Sequence, residues 1–157
     1  VYVSGTTGTI KYNAEGEELW VRSWGGVALA LDGSDNVCVT GGQDDYITIK
    51  YYPNGDTAWV RRYNGTGNPY YYDYATAIAI AGFNNIYVTG YSWGDHTSHD
   101  YATVKYYTNG DTAWVRRYNG PGNYWDVALA MAADDSGNVY VTGYSSQNWI
   151  WPNANYD

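Results

Sequence analysis

An all-β repeat architecture is predicted by three observations. The first is an internal copy: DYITIKYYPNGDTAWVRRYNG (Asp45–Gly65) returns as DYATVKYYTNGDTAWVRRYNG (Asp100–Gly120), differing only at Ile47/Ala102, Ile49/Val104 and Pro53/Thr108. A looser version, TIKYNAEGEELWVRSW, spans Thr9–Trp24. The second is a shorter motif, VYVSG at Val1, which recurs as VCVTG at Val37, IYVTG at Ile86 and VYVTG at Val139. The third is composition: 20 Tyr and 8 Trp stand against one Phe, with 19 Gly among 157 residues. Aromatic and β-branched side chains fit pleated surfaces, and glycines supply tight reversals.

Each long copy consists of two strand-like runs joined by a Gly-centred turn, at Glu15-Gly16, Asn54-Gly55 and Asn109-Gly110. This is a hairpin signature, in which the glycine supplies the positive φ of the reversal. Before the last three short motifs lie alternating small/large runs, GVALALDGSDN from Gly26, ATAIAIAGFNN from Ala75 and DVALAMAADDSGN from Asp126. One unit therefore has four strands in fixed order: the A-x-A run, the VYVTG run, the TVKYY run and the AWVRRY run. Four short antiparallel strands at this spacing predict a β-propeller blade. Alanines of the first strand fit the crowded axis, and Trp20, Trp59 and Trp114 of the last strand fill the widening rim. Neighbours covering both faces explain why the VYV runs are apolar throughout. The chain reads as a single propeller segment, 1–157, with units at 1–25 (partial), 26–65, 75–120 and 126–157 (partial). That is a little over three blades, an incomplete ring unless more chain or other subunits complete it.

Together, GNVYVTGYS (Gly137–Ser145), DYATVKYYTNGDTAWVRRYNG and the A-x-A strand resemble the SBBP family, the bacterial and archaeal beta-propeller repeat. The resemblance covers essentially the whole chain. It implies four-stranded blades in secreted or cell-surface prokaryotic proteins, usually as one module of a longer chain. It brings no catalytic residues with it.

Net charge is −8 and the isoelectric point near 4.4, which opposes binding to phosphate backbones. All eight Lys and Arg fall in the repeated hairpin. That regularity reads as architecture, with charges guarding outer strand edges, and nucleic acid is not expected as a partner. No apolar run is long enough to cross a membrane as a helix, so the chain is not expected to be membrane-embedded. Cys38 is the sole cysteine and stands where Tyr2, Tyr87 and Tyr140 stand in the other copies, a packing position.

Several segments carry residues of chemical interest. Tyr91–His99 reads as the longest irregular excursion and holds both histidines, His96 and His99, beside Asp95 and Asp100. Such a set suits a transition metal, although no other unit repeats it. Asp32–Asn36 and Asp134–Asn138 resemble oxygen-rich calcium loops, but Asp, Asn, Ser and Gly equally build turns, and a calcium cage needs six or more oxygens. Carboxylates are plentiful enough for a glycosidase-like pair, yet they repeat with the scaffold, and no Gly-x-Ser-x-Gly or His-Glu-x-x-His pattern occurs. Asn64-Gly65-Thr66 matches the N-glycosylation acceptor pattern, whereas Asn119-Gly120-Pro121 does not. Ser145–Tyr156, with Trp149 and Trp151, and Asn68–Tyr74 mix rings and amides suited to sugars or to capping the blades.

The sequence thus points to no catalytic, cofactor-binding or metal residues and no cofactor. The expected role is a non-enzymatic extracellular or cell-surface structural and interaction module that displays loops or assembles into a ring or filament. Expected partners are other copies or further repeats of the same chain, and glycans. A carbohydrate-binding propeller is the alternative, and a glycan-active enzyme the second alternative.

Overall fold

In the computed structural model, residues 1–42, 44–65, 71–94 and 96–147 are described. Among them, thirteen strands form four antiparallel sheets. The first sheet has three strands, β1 (Tyr2–Gly5), β2 (Gly8–Tyr12) and β3 (Glu18–Arg22). The second has four, in the order β4 (Ala28–Leu31), β5 (Val37–Gly41), β6 (Tyr46–Tyr51) and β7 (Thr57–Tyr63). The third repeats that order with β8 (Tyr74–Ala81), β9 (Asn85–Trp93), β10 (His99–Tyr106) and β11 (Thr112–Tyr118). The fourth holds β12 (Asp126–Ala133) and β13 (Val139–Ser145). The fold is all-β and made of four-stranded propeller blades, and the four sheets do not close a ring.

The repeated hairpin is fixed by its turn. In the second sheet Tyr52 N–H donates to Asp56 O and Gly55 N–H to Tyr52 O; in the third, Tyr107 and Gly110 do the same with Asp111 and Tyr107. Asn54 and Asn109 brace the bend by accepting from the backbone of Asp56 and Asp111. The glycines sit at φ +86° (Gly16), +88° (Gly55) and +88° (Gly110), where a side chain is strained. A bulge follows in each copy, with the register shifting after Lys11, Lys50 and Lys105. The glycine ending each VxVTG motif has a different cause. The first strand bulges at Thr76 and at Leu129, and a Cβ on Gly90 or Gly143 would overlap the carbonyl oxygen of Tyr74 or Val127.

The sheets stack face to face. β4 packs beside β8 and β8 beside β12, so the alanine-rich first strands line up along one side. There Thr76 Oγ1 donates to Ala128 O at 2.8 Å. Trp20, Val37, Val39, Ile49 and Tyr51 form the core between the first and second sheets. Between the second and third, Cys38, Tyr46 and Trp59 meet Ile86, Val88, Val104 and Tyr106. Alternate residues of β5 thus serve opposite neighbours, and every residue of that strand is buried. The same motif in β13 has no buried residue, and Tyr140 is 61% exposed, because one face of the fourth sheet is open.

One boundary differs from the sequence reading. Tyr91–His99 is not a single excursion: Tyr91, Ser92 and Trp93 continue β9, pairing with Tyr101, Asp100 and His99 of β10. The extension is held by side chains far away in sequence. Asp73 accepts from Trp93 N–H, and Arg117 donates to the carbonyls of Ser92 and Trp93.

Candidate functional site

The cationic residues of the hairpin do more than guard an edge. Lys11, Trp20 and Arg22 lie on one face of the first sheet and reach the turn of the second. Lys11 Nζ and Trp20 Nε1 donate to Pro53 O at 2.7 and 3.1 Å, and Arg22 Nε donates to Gly55 O at 2.6 Å. One sheet further on, Lys50 Nζ and Trp59 Nε1 donate to Thr108 O at 3.4 and 3.1 Å, and Arg61 Nε to Gly110 O at 2.6 Å. Each arginine also lies over its tryptophan, 5.4 Å from the ring centre for Arg22 and 5.6 Å for Arg61. Each tryptophan meets a tyrosine of the next sheet, Trp20 with Tyr51 and Trp59 with Tyr106. Three donors converge on two backbone carbonyls, so the residue before the Asn-Gly bend is free to be Pro53 or Thr108. Besides the edge guarding that the sequence suggested for these charges, Lys11, Arg22, Lys50 and Arg61 lock one sheet to the next.

A second cluster occupies the end of the sheets where the β5–β6, β7–β8, β9–β10 and β11–β12 connections emerge. Antiparallel strands alternate in direction, so these connections share one end, and Asp73 N–H donates to Asp44 O between two of them. Arg117 is the centre. Its guanidinium donates to Asp100 Oδ2 at 3.0 Å, Ser92 Oγ at 2.7 Å and Tyr63 OH at 3.2 Å, tying the second sheet to the third. Burial alone would lower the Arg117 pKa, but the bonds to Asp100 and Tyr63 outweigh it and raise it. Asp45 and Arg62 form the matching ion pair of the second sheet.

Over this network lies a patch of rings. Tyr71 stacks on Trp93 at 3.9 Å, and His99 packs against Tyr91, Trp93 and Trp125 at 5.2, 5.0 and 4.7 Å. Burial pushes the His99 pKa down, against the raising effect of the Tyr72 backbone and the nearby carboxylates. Its Nδ1 is enclosed and without a partner among the described residues. Tyr71, Tyr72 and Trp125 remain open to solvent at 43%, 53% and 37%.

The histidines named from the sequence are therefore placed differently from a ligand pair. His99 is a buried ring within an aromatic cluster, and His96 sits in the loop at φ +63°. Asp100 belongs to the Arg117 network, and Asp95 lies outside the described residues. Asp32 closes a turn, accepting from Ser34 N, Asn36 N and Asn36 Nδ2 and pairing with Lys50 Nζ at 2.8 Å. Burial pushes its carboxyl upward, but the bonds from Lys50, Asn36 and Ser34 prevail and hold it below its ordinary value. Asp134 is engaged in the same way by Asn138. Cys38 is fully buried, and burial pushes its thiol up to about 12. Asn64 is exposed, whereas Thr66 of the acceptor pattern, Asn68–Tyr70, and Trp149, Trp151 and the rest of 148–157 lie outside the described residues. The aromatic patch was half legible: Tyr71–Tyr74 lay in a segment named for its rings, but Trp93 joins His99 through β9–β10 pairing and Trp125 meets it only in the folded chain.

Face-to-face stacking of four-stranded antiparallel sheets, with small first strands on one side and tryptophans in the fourth, defines the protein as a chain of propeller blades. The match to known families straddles two of these sheets. Residues 58–96, running from the fourth strand of the second sheet through β8 and β9, match the family model of the SBBP beta-propeller repeat, so the chain carries an SBBP repeat. No curated protein matches the chain.

Proposed function

We propose that this chain is a non-enzymatic structural and interaction module, a stack of blades that displays one loop-bearing end and joins larger assemblies through its open sheet faces. The observation that carries this reading is where its polar side chains go. Arg22, Arg61 and Arg117 join one sheet to another, Asp32 and Asp134 close turns, and Asp45 and Asp100 hold arginines. These charged groups are thereby committed to the scaffold, and apolar and aromatic side chains are exposed on the outer sheet faces. Val3 and Val21 on the first sheet are 50% and 44% exposed, and Tyr140 and Tyr144 on the fourth are 61% and 49% exposed. Faces of this kind mark sites of association. Placement outside the cell, on the surface of a prokaryote or beyond it, follows from the resemblance to SBBP proteins.

Sedimentation of the purified chain, with imaging of the particles, tests the proposal. Rings, filaments or other assemblies larger than one chain are expected. A monomer at all concentrations would contradict it.

The ring patch supports carbohydrate binding as the second reading, because Tyr71, Tyr72 and Trp125 offer flat apolar faces beside polar backbone. A glycan array separates the two. Binding lost in Trp125→Ala would favour the lectin role, and a blank array would exclude it.

A further inference from the structure

One turn breaks the repeat at the end of the sheets opposite the Arg117 network. That end carries the turns 13–17, 32–36, 52–56, 81–85, 107–111 and 134–138. Phe83, the only phenylalanine of the chain, stands where the other copies have Ser34 and Ser136, three residues before the IYVTG, VCVTG and VYVTG motifs. Its ring is 100% exposed. Ala81 replaces Asp32, whose carboxylate accepts from Ser34 N–H, and the turn instead runs left-handed, with Gly82, Phe83 and Asn84 at φ +49°, +61° and +60°. A bulky residue at positive φ is strained. The turn is also pinned on both sides: Asn84 Oδ1 accepts from Gly33 N–H at 3.2 Å, and Asn84 O from Thr108 Oγ1 at 2.9 Å. An aromatic ring that buries nothing is thus held in a fixed, costly place. Beside it a groove of about 420 Å³ runs between Phe83, Asn85, Tyr107, Thr108 and Asn109, and Tyr107 is itself 52% exposed. The charge around the groove has one sign. None of the six turns contains Lys or Arg, while Glu15, Glu17, Asp35, Asp56, Asp111 and Asp135 are exposed. Asp56 and Asp111 accept from Asn54 and Asn109 Nδ2 at 2.9 and 2.8 Å, neutral donors that leave each carboxylate charged. The strand cations that reach these turns, Lys11, Arg22, Lys50 and Arg61, are outnumbered by the turns' carboxylates.

We infer that this end of the molecule, centred on Phe83 and Tyr107, is a docking surface for a basic polypeptide segment. The segment's cations lie over the Phe83 and Tyr107 rings and pair with Asp111 and the other exposed carboxylates, while their aliphatic stems fill the groove. Charge complementarity selects this occupant, since an acidic surface repels phosphate-bearing partners. Arginine is favoured over lysine, because a planar guanidinium stacks on rings. The surface lies apart from the open sheet faces and from the ring patch around His99. It therefore stands or falls independently of the proposed assembly role.

The test titrates oligo-arginine and oligo-lysine peptides of equal length into the isotopically labelled full chain. Shifts are expected to centre on Phe83, Tyr107, Asn109 and Asp111, to fade with added salt, and to saturate at lower concentration with the arginine peptide. Phe83→Ser, which installs the residue of the other turns, should weaken arginine-peptide binding about threefold, the worth of one exposed cation–π contact. Because the ring buries nothing, that variant keeps the fold, read as unchanged signals from the buried Tyr46 and Trp59. Shifts spread evenly over the exposed carboxylates, or an affinity unchanged in Phe83→Ser, would overturn the inference. So would phosphatidylcholine vesicles that bind the chain through Phe83 while the peptides do not, because the ring would then serve a lipid surface.

Discussion

Trp59 and Trp114 sit in identical seven-residue strands, yet the structure gives them different energetic weights. Replacing each with alanine separates local sequence from sheet stacking. Trp59 is 9% exposed, packs on Tyr106 of the next sheet and donates to Thr108 O. Its loss removes most of a large buried ring and leaves a cavity between two sheets, a cost of about 3–5 kcal/mol. The orphaned Thr108 carbonyl still has Lys50 as a donor, so no further penalty is added. Trp114 is only partly buried and meets Tyr87 of its own sheet. Its truncation should cost about 1–2 kcal/mol from the smaller area returned to water. Because domains of this size are stable by only about 5–15 kcal/mol, the difference is measurable. Urea denaturation followed by far-ultraviolet circular dichroism reads it: the midpoint should fall much further for Trp59→Ala than for Trp114→Ala. Equal losses would refute the reasoning, since they would mean that the strand's own sequence, and not the neighbouring sheet, sets the weight of the ring.

Other outcomes follow from the same packing. The Cys38 thiol, with its pKa pushed up to about 12 inside the second sheet, should react with a thiol reagent only as fast as the protein opens, and prompt labelling of the native chain would contradict its burial. Burial lowers the His99 pKa below the ordinary 6.5, so the unfolded chain binds a proton first as pH falls. Its contribution to stability is full above about pH 6.5 and is lost on acidification below it, and His99→Phe should flatten that part of a stability profile measured from pH 8 to 5. Arg117→Met leaves Asp100 buried and unpaired, and should cost about 3 kcal/mol or more by the same denaturation assay, whereas Arg116→Met should cost well under 1 kcal/mol.

Strand identity and sheet membership were legible because each strand class carries its own signature. The VxVTG motif marks the second strand wherever it occurs, and the Asn-Gly turn joins the third to the fourth. Legibility failed where contacts cross between sheets. Arg22 and Arg61 read as edge charges because their acceptors across the sheets, Gly55 O and Gly110 O, are backbone atoms, and a backbone acceptor leaves no trace in residue identity. Tyr91–Trp93 read as a loop because what extends the strand is Arg117 and Asp73, distant in sequence. The ring patch was partly visible in its tyrosines, but Trp93 reaches His99 through β9–β10 pairing and Trp125 meets it only in the folded chain.

Stacking in sequence order, each sheet gripping the turn of the next, is most directly tested by nuclear Overhauser contacts from the tryptophan indoles. The account predicts cross-peaks from Trp20 Nε1–H to the protons of Pro53 and Gly55, and from Trp59 Nε1–H to those of Thr108 and Gly110. Indole contacts confined to residues of the same sheet would contradict it.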